Sequence, residues 1–284
     1  MTPRPAVRAA RAAGRRVPAR QAARGAAGPA LHEATAPSLP DAAARRRFRT
    51  ALLAWYRRHG RDLPWRRTDD PYHILVSEVM LQQTQVDRVL PKYEEWLAKY
   101  PSLEALAEAP ETEVSRTWYP LGYNIRPRRL QSIAREAIAH FDGRLPDDEA
   151  TLRSFKGIGA YTAGAVMSFA FGRRAAILDT NVARVLARVF LGRTANGKGP
   201  GTRHLWAISR AVLPHKHVFD FNQGLMDLGA MVCTARKPRC LVCPLARQCV
   251  SSPLHRAGAA RSPGGHRAGV AGQSGRKPHG GETR

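Results

Sequence analysis

The sequence predicts an all-α fold, and three observations predict it. Apolar residues recur at three- and four-residue spacing through most of 41–250. Alternation of β-branched with polar residues, the mark of a half-buried strand, is nearly absent. Pro, Asp and Glu stand where the periodic segments open, as they do at helix starts.

The elements follow in order. RRRFRTALLAWYRRHG (45–60) is helical in spacing and stops on Gly60. A loop, RDLPWRRTDDP, places Pro71 in a first helical turn. Residues 72–100 read as two helices meeting near Thr84. Further segments lie within 104–118, after Pro101 and Pro110, and an amphipathic helix covers 126–141. No internal repeat of fixed period is visible.

Charge narrows the partner. The 284 residues carry a formal net charge of +24. Residues 1–40 hold seven Arg against Glu33 alone, and 251–284 hold six Lys or Arg against Glu282 alone. Both segments are rich in Ala, Gly, Pro and Arg and are expected to be disordered basic tails. Without them, 41–250 still holds 33 basic against 20 acidic residues. A polyanion, nucleic acid above all, is the partner such a balance suits. No apolar run reaches the roughly 20 residues of a membrane span. With no secretory segment either, a soluble cytoplasmic protein is expected.

Three stretches carry chemistry. SEVMLQQTQV (77–86) sets a single acid, Glu78, in an apolar segment ahead of Gln82, Gln83 and Gln85. An ordinary half-exposed helix explains it equally well at this point. TLRSFKGIGAYTAGAVMSFAFG (151–172) breaks at GIG, where Gly157 and Gly159 allow a tight turn with positive φ. Bare backbone N–H groups at a helix start favour a phosphate, and Arg153 and Lys156 flank them. A plain helix–turn–helix connection is the simpler alternative. Cys233, Cys240, Cys243 and Cys249 lie in one window, C-x6-C-x2-C-x5-C. Four thiols in a reducing compartment suit zinc or an iron–sulfur cluster rather than disulfides. Arg236, Lys237 and Arg239 fill the x6 loop, where a bound centre would display them to phosphates.

Taken together, the GIG turn, the Asp in ILDTNVARVLAR and the cysteine spacing resemble the helix-hairpin-helix superfamily of base-excision DNA glycosylases, which includes endonuclease III. LPWR (63–66), SEVMLQQTQV, LGY (121–123), LDTNV (178–182) and FNQGLMDLGAMVC (221–233) resemble the MutY-type adenine DNA glycosylases within it. The resemblance covers roughly 45–250. It implies a two-lobed fold with an iron–sulfur cluster lobe: an N-terminal helix over 41–66 packing on that lobe, a six-helix barrel with the hairpin over 67–175, and the cluster lobe over 176–250. It implies a [4Fe–4S] cluster on the four cysteines, a monomer, and a double-stranded DNA partner holding mismatched or damaged pairs.

The resemblance also assigns roles. Glu78 is the general acid that protonates the purine. Ile74, Leu75 and Leu81 lie one helical turn away and offer the desolvation such an acid needs. Asp179 is the carboxylate that stabilises an oxocarbenium-like sugar, supported by Asn181. By itself Asp179 also reads as a helix N-cap. Tyr161 stands where the lyase members carry a Schiff-base Lys, so base removal without efficient strand cleavage is expected. Gln83 wedges into the duplex and Tyr123 intercalates. Gln223 reads the flipped adenine's edge, and Trp65 and Arg66 line its pocket. Lys156, Gly157 and Gly159 hold the DNA backbone, as do Arg236, Lys237 and Arg239.

Two departures qualify the expected substrate. MutY-type enzymes continue into a second domain that reads 8-oxoguanine, whereas 34 tail residues follow Val250 here. WYPLGYNIRPRRL also departs from the family's WxGLGYYxRAxNL: Pro120 replaces a Gly and Asn124 the second Tyr. Excision of adenine opposite guanine or 8-oxoguanine, with a weak preference for the oxidised partner, is therefore expected. A mismatch thymine or uracil glycosylase is the alternative within the superfamily. A non-catalytic lesion-sensing protein is the alternative outside it.

Overall fold

The computed structural model describes residues 39–192 and 201–254. The expected tails lie almost wholly outside the described residues. No strand occurs among the described residues, and the fold is all-α.

Local chemistry sets the helix starts. Asp41 opens α1 (Ala42–His59), its Oδ1 accepting from the Ala44 N–H at 2.7 Å. Asp70 opens α2 (Pro71–Met80) by accepting from Tyr72 N and His73 N, with Pro71 at the first helical position. Each such cap contributes about 1 kcal/mol. Then come α3 (Val86–Lys99), α4 (Leu103–Glu108), α5 (Glu111–Trp118) and α6 (Ile125–His140). The expected break near Thr84 is the turn between α2 and α3. The hairpin pairs α7 (Glu149–Ser154), capped by Asp148, with α8 (Ala160–Phe169).

Three further α-helices follow. α9 (Thr180–Leu186) runs into a π turn over Ala187–Leu191, so the helix that Asp179 caps widens before its end. α10 covers Thr202–Val212. α11 (Val218–Asp227) likewise runs into a π turn over Leu228–Val232.

The helices gather in two groups. α2 packs on α8, α3 and α6, while α4 and α5 pack on α6 and α7 packs on α8. Its centre is aromatic: Trp96 meets Trp118 edge-on at 5.4 Å, and the Trp96 indole donates to the Tyr72 hydroxyl at 3.1 Å. In the other group α1 packs on α11 and α10, and α9 lies against both π turns. Phe48, Phe190 and Phe221 fill that interior. α11 also touches α8, which brings the two groups together beside Glu78.

Candidate active site and cluster centre

Glu78 does not sit on a half-exposed helix. α2 is buried at Tyr72 and continuously from Ile74 to Met80, and Glu78 itself is 4 % exposed. Ile74 and Leu75 are fully enclosed, whereas Leu81 is half-buried. Burial pushes the Glu78 carboxyl up to about 7, and the charge of Asp179 adds to the push. The Tyr161 hydroxyl, donating to Glu78 Oε2 at 2.7 Å, and Arg66 oppose it. Tyr161 also lies 3.4 Å from the Met226 sulfur. Burial and the neighbouring carboxylates hold its phenol well above the usual range, so it stays the donor.

Asp179 caps α9 and stands near enough to Glu78 for its charge to act on it. Its Oδ1 accepts from Val182 N at 2.6 Å at the start of α9, and its Oδ2 accepts from Asn181 Nδ2 at 3.0 Å. Burial raises its pKa, while those donors and Arg184 hold it back. Val182 N, Asn181 and Arg184 favour the Asp179 carboxylate, where Glu78 has the Tyr161 hydrogen bond and the charge of Arg66. Of the two, Asp179 is the better supplied to keep its charge and Glu78 the one inclined to hold a proton.

Sequence reasoning missed the groups behind these two acids. Arg184 Nη2 donates to Asn181 Oδ1 at 2.7 Å and to the Gly229 carbonyl, and its Nε donates to the Cys233 carbonyl. Asp227 is fully buried. It accepts from Arg61 N and Nε and from both terminal nitrogens of Arg66. That fork pins the loop holding Trp65 and Arg66 onto the end of α11. Gly229 is required where α11 meets α9: a Cβ there would come within 2.7 Å of the Asn181 Cβ.

Gln223 lies one helical turn before Met226 on α11 and is 2 % exposed, with its Oε1 unpaired. Arg66 Nε is likewise buried and unpaired. Trp65 is buried edge-on against Tyr93 at 5.3 Å. Gln83 and Tyr123 stand exposed on separate loops, each in the left-handed region (φ 56° and 51°).

The hairpin needs one correction. Gly157 has φ 110°, but Gly159 has φ −92° and caps α8 in an extended conformation. Only Gly157 uses the left-handed freedom, because the turn completes before residue 159. Both are exposed beside Lys156. Arg236, Lys237 and Arg239 are exposed on the loop between the first two cysteines.

All four cysteines line one cavity of about 340 Å³, walled by Val185, Val189, Leu228 and Leu245. Burial, and then the proximity of the other thiols, pushes Cys243 up to about 11. Arg188 presses a guanidinium nitrogen to 3.4 Å from the Cys233 sulfur and also binds the carbonyls of Thr234 and Ala235. Clustered thiols in an apolar cavity with a cation at their edge fit an anionic, thiolate-ligated cluster.

These features define a class: a helix-hairpin-helix protein with two neighbouring carboxylates and a cysteine-held iron–sulfur centre. Residues 76–210 match the HhH-GPD superfamily of base-excision DNA repair proteins, and 233–249 match the iron–sulfur binding domain of endonuclease III. The chain is 43% identical over 215 residues to the adenine DNA glycosylase of Homo sapiens, covering 71% of this chain and 39% of that one. It is 38% identical over 205 residues to the thymine/uracil-DNA glycosylase of Pyrobaculum aerophilum, covering 70% and 89%. A thermostable thymine-DNA glycosylase structure superposes with a TM-score of 0.70 at 33% identity, covering 75% and 98%. The chain belongs to the HhH-GPD superfamily of base-excision DNA repair proteins, and its four cysteines supply the ligand set of a [4Fe–4S] cluster. It spans between 39% and 65% of the length of the first adenine DNA glycosylases it matches.

Proposed function

We propose that the chain is a monofunctional DNA glycosylase that removes adenine mispaired with guanine or 8-oxoguanine in double-stranded DNA. The observation that marks a base-reading pocket is the unpaired, buried Oε1 of Gln223. A buried acceptor without a donor costs free energy until a ligand supplies one, and the exocyclic amine of adenine is such a donor. The relatives named adenine DNA glycosylase support the same reading.

The chemistry then runs through residues already in place. Gln83 and Tyr123 enter the stack as the adenine leaves it. Glu78, still substantially protonated near pH 7, gives its proton to the purine ring and makes it a leaving group. Asp179 remains ionised against the positive charge growing on the sugar. Tyr161 has no amine, so no Schiff base forms and the strand is left uncut. Lys156, Gly157, Gly159 and the basic cysteine loop hold phosphates without reading sequence. Cys233, Cys240, Cys243 and Cys249 would hold the [4Fe–4S] cluster, which would brace that basic loop.

A second reading is excision of thymine or uracil from mismatches with guanine. The chain covers 89% of the length of the relative of that name. Single-turnover assays on duplexes holding A:8-oxoG, A:G, T:G and U:G, with alkali to reveal abasic sites, separate the two. Adenine release that is lost in Glu78→Gln is the expected result. Cutting only at T:G or U:G overturns the adenine reading, and the A:8-oxoG to A:G ratio measures partner preference.

A further inference from the structure

Arg126 is an unusual cation for its position. It opens α6, is 3 % exposed, and has no carboxylate partner among the described residues. Its guanidinium is held by carbonyl oxygens from two separate loops. Nη1 donates to Val79, Met80 and Gln82 at 3.0, 3.0 and 2.6 Å. Nη2 donates to Leu121 and Gly122, both at 3.0 Å. The Thr84 hydroxyl lies within 3.4 Å of both nitrogens. The guanidinium carbon sits 5.1 Å from the Trp118 ring centre and 5.2 Å from that of Tyr123.

One set of contacts belongs to the C-terminal end of α2, the helix that carries Glu78, and to the turn that presents Gln83. Carbonyls at a helix C-terminus attract a cation. The other set belongs to the turn that presents Tyr123. Both exposed residues are non-glycine in the left-handed region, a conformation that persists where surrounding contacts enforce it. Arg126 supplies such contacts to both at once. A local cap for either turn would need no cation reaching across 40 residues of sequence.

We propose that Arg126 is a positioning residue that couples the Gln83 turn to the Tyr123 turn, so that the two enter the duplex as one unit, in register with Glu78. The inference rests on the reading above that both residues penetrate the DNA. Another arginine reaches the Tyr123 turn from α3, the exposed Arg88, whose Nη2 donates to the Pro120 carbonyl at 2.7 Å. It touches neither the left-handed residues nor the end of α2, and it serves as the control.

A double-mutant cycle tests the coupling. Binding to a duplex with an uncleavable tetrahydrofuran abasic analogue opposite guanine is measured by anisotropy for the wild type, Gln83→Ala, Tyr123→Ala and the double variant. The cycle is repeated in Arg126→Lys and Arg88→Ala backgrounds, in holo protein. Lysine keeps the charge but cannot reach both turns in one plane. The losses are expected to be non-additive by about three-fold or more in the wild type and in Arg88→Ala, and additive in Arg126→Lys. Should the lysine variant not fold, Thr84→Val removes one shared contact, and a reduced coupling is expected there. Additive losses in the wild type, or coupling that survives Arg126→Lys or Thr84→Val unchanged, overturn the role of Arg126. If neither single variant weakens binding, the penetrating role of both loops fails first, and the inference with it.

Discussion

Glu78 and Asp227 are buried to nearly the same extent, at 4 % and 0 % exposure, and each lies in an apolar helix. Their chemistry diverges. Burial is the largest influence on both. At Asp227 the Arg66 and Arg61 guanidiniums and the Arg61 N–H outweigh it and hold the carboxyl below its ordinary range. At Glu78 one hydroxyl and a more distant Arg66 do not, and the carboxyl rises to about 7. Burial alone therefore does not make an acid. The supply of donors decides whether a buried carboxylate becomes a structural anion or a proton source.

The largest expected effect breaks the comparison at Glu78. Glu78→Gln keeps the shape and loses the proton, and single-turnover base release should fall by about 10²–10⁴-fold with DNA binding retained. Retained release would remove Glu78 from the chemistry. At the other acid, Asp227→Asn leaves two arginines without their anion and should cost about 3–5 kcal/mol by denaturant unfolding. A depressed folded pKa stabilises above the unfolded value and is lost as pH falls through the folded one. The Asn penalty should therefore shrink in acid.

The same linkage has the opposite sign at Glu78. Its raised pKa favours the fold fully below the unfolded value of 4.5, and that contribution fades as pH rises to about 7. Glu78→Gln should thus unfold at higher denaturant than wild type at pH 8, by on the order of 3 kcal/mol, and show little difference below pH 4.5. Equal stability at pH 8 would mean that Glu78 is not desolvated. The smallest effect sharpens the contrast: Tyr161→Phe removes the one hydrogen bond that favours the Glu78 carboxylate. The alkaline limb of the single-turnover profile should move up by roughly one pH unit. A shift downward would show that Tyr161 accepts rather than donates.

Much of this was legible in the chain. The Asp70–Pro71 start, the break near Thr84 and the Asp179 cap were local signals, and the structure uses each. The desolvation of Glu78 could be anticipated from Ile74 and Leu75. The total enclosure of α2 could not, because α8 and α6 come from 80 and 50 residues away. Asp227 carries the same signal as Glu78, a lone acid in the apolar run GLMDLGAMV, and reading that signal evenly would have found it. What distinguishes the two acids is Arg61 and Arg66, more than 160 residues distant from Asp227. Arg126 was hidden for a similar reason: its partners are main-chain carbonyls, and any sequence can provide those. The left-handed φ expected at Gly159 proved wrong because one such residue, Gly157, suffices to close the hairpin.

The π turn over Leu228–Val232 has a consequence for how this chain tolerates insertions and deletions. One continuous helical run leads from Gln223 to Cys233, so the amide proposed to read adenine and an iron ligand share a single shaft. A π turn holds one residue more than an α turn and rotates everything beyond it by about 100°. The phase between the two ends of the shaft is thus set by one inserted residue. Losing that residue would leave helix content and composition almost untouched. It would nevertheless swing Cys233 about a quarter turn away from its fellow cysteines, so length, more than identity, is the guarded property of this stretch.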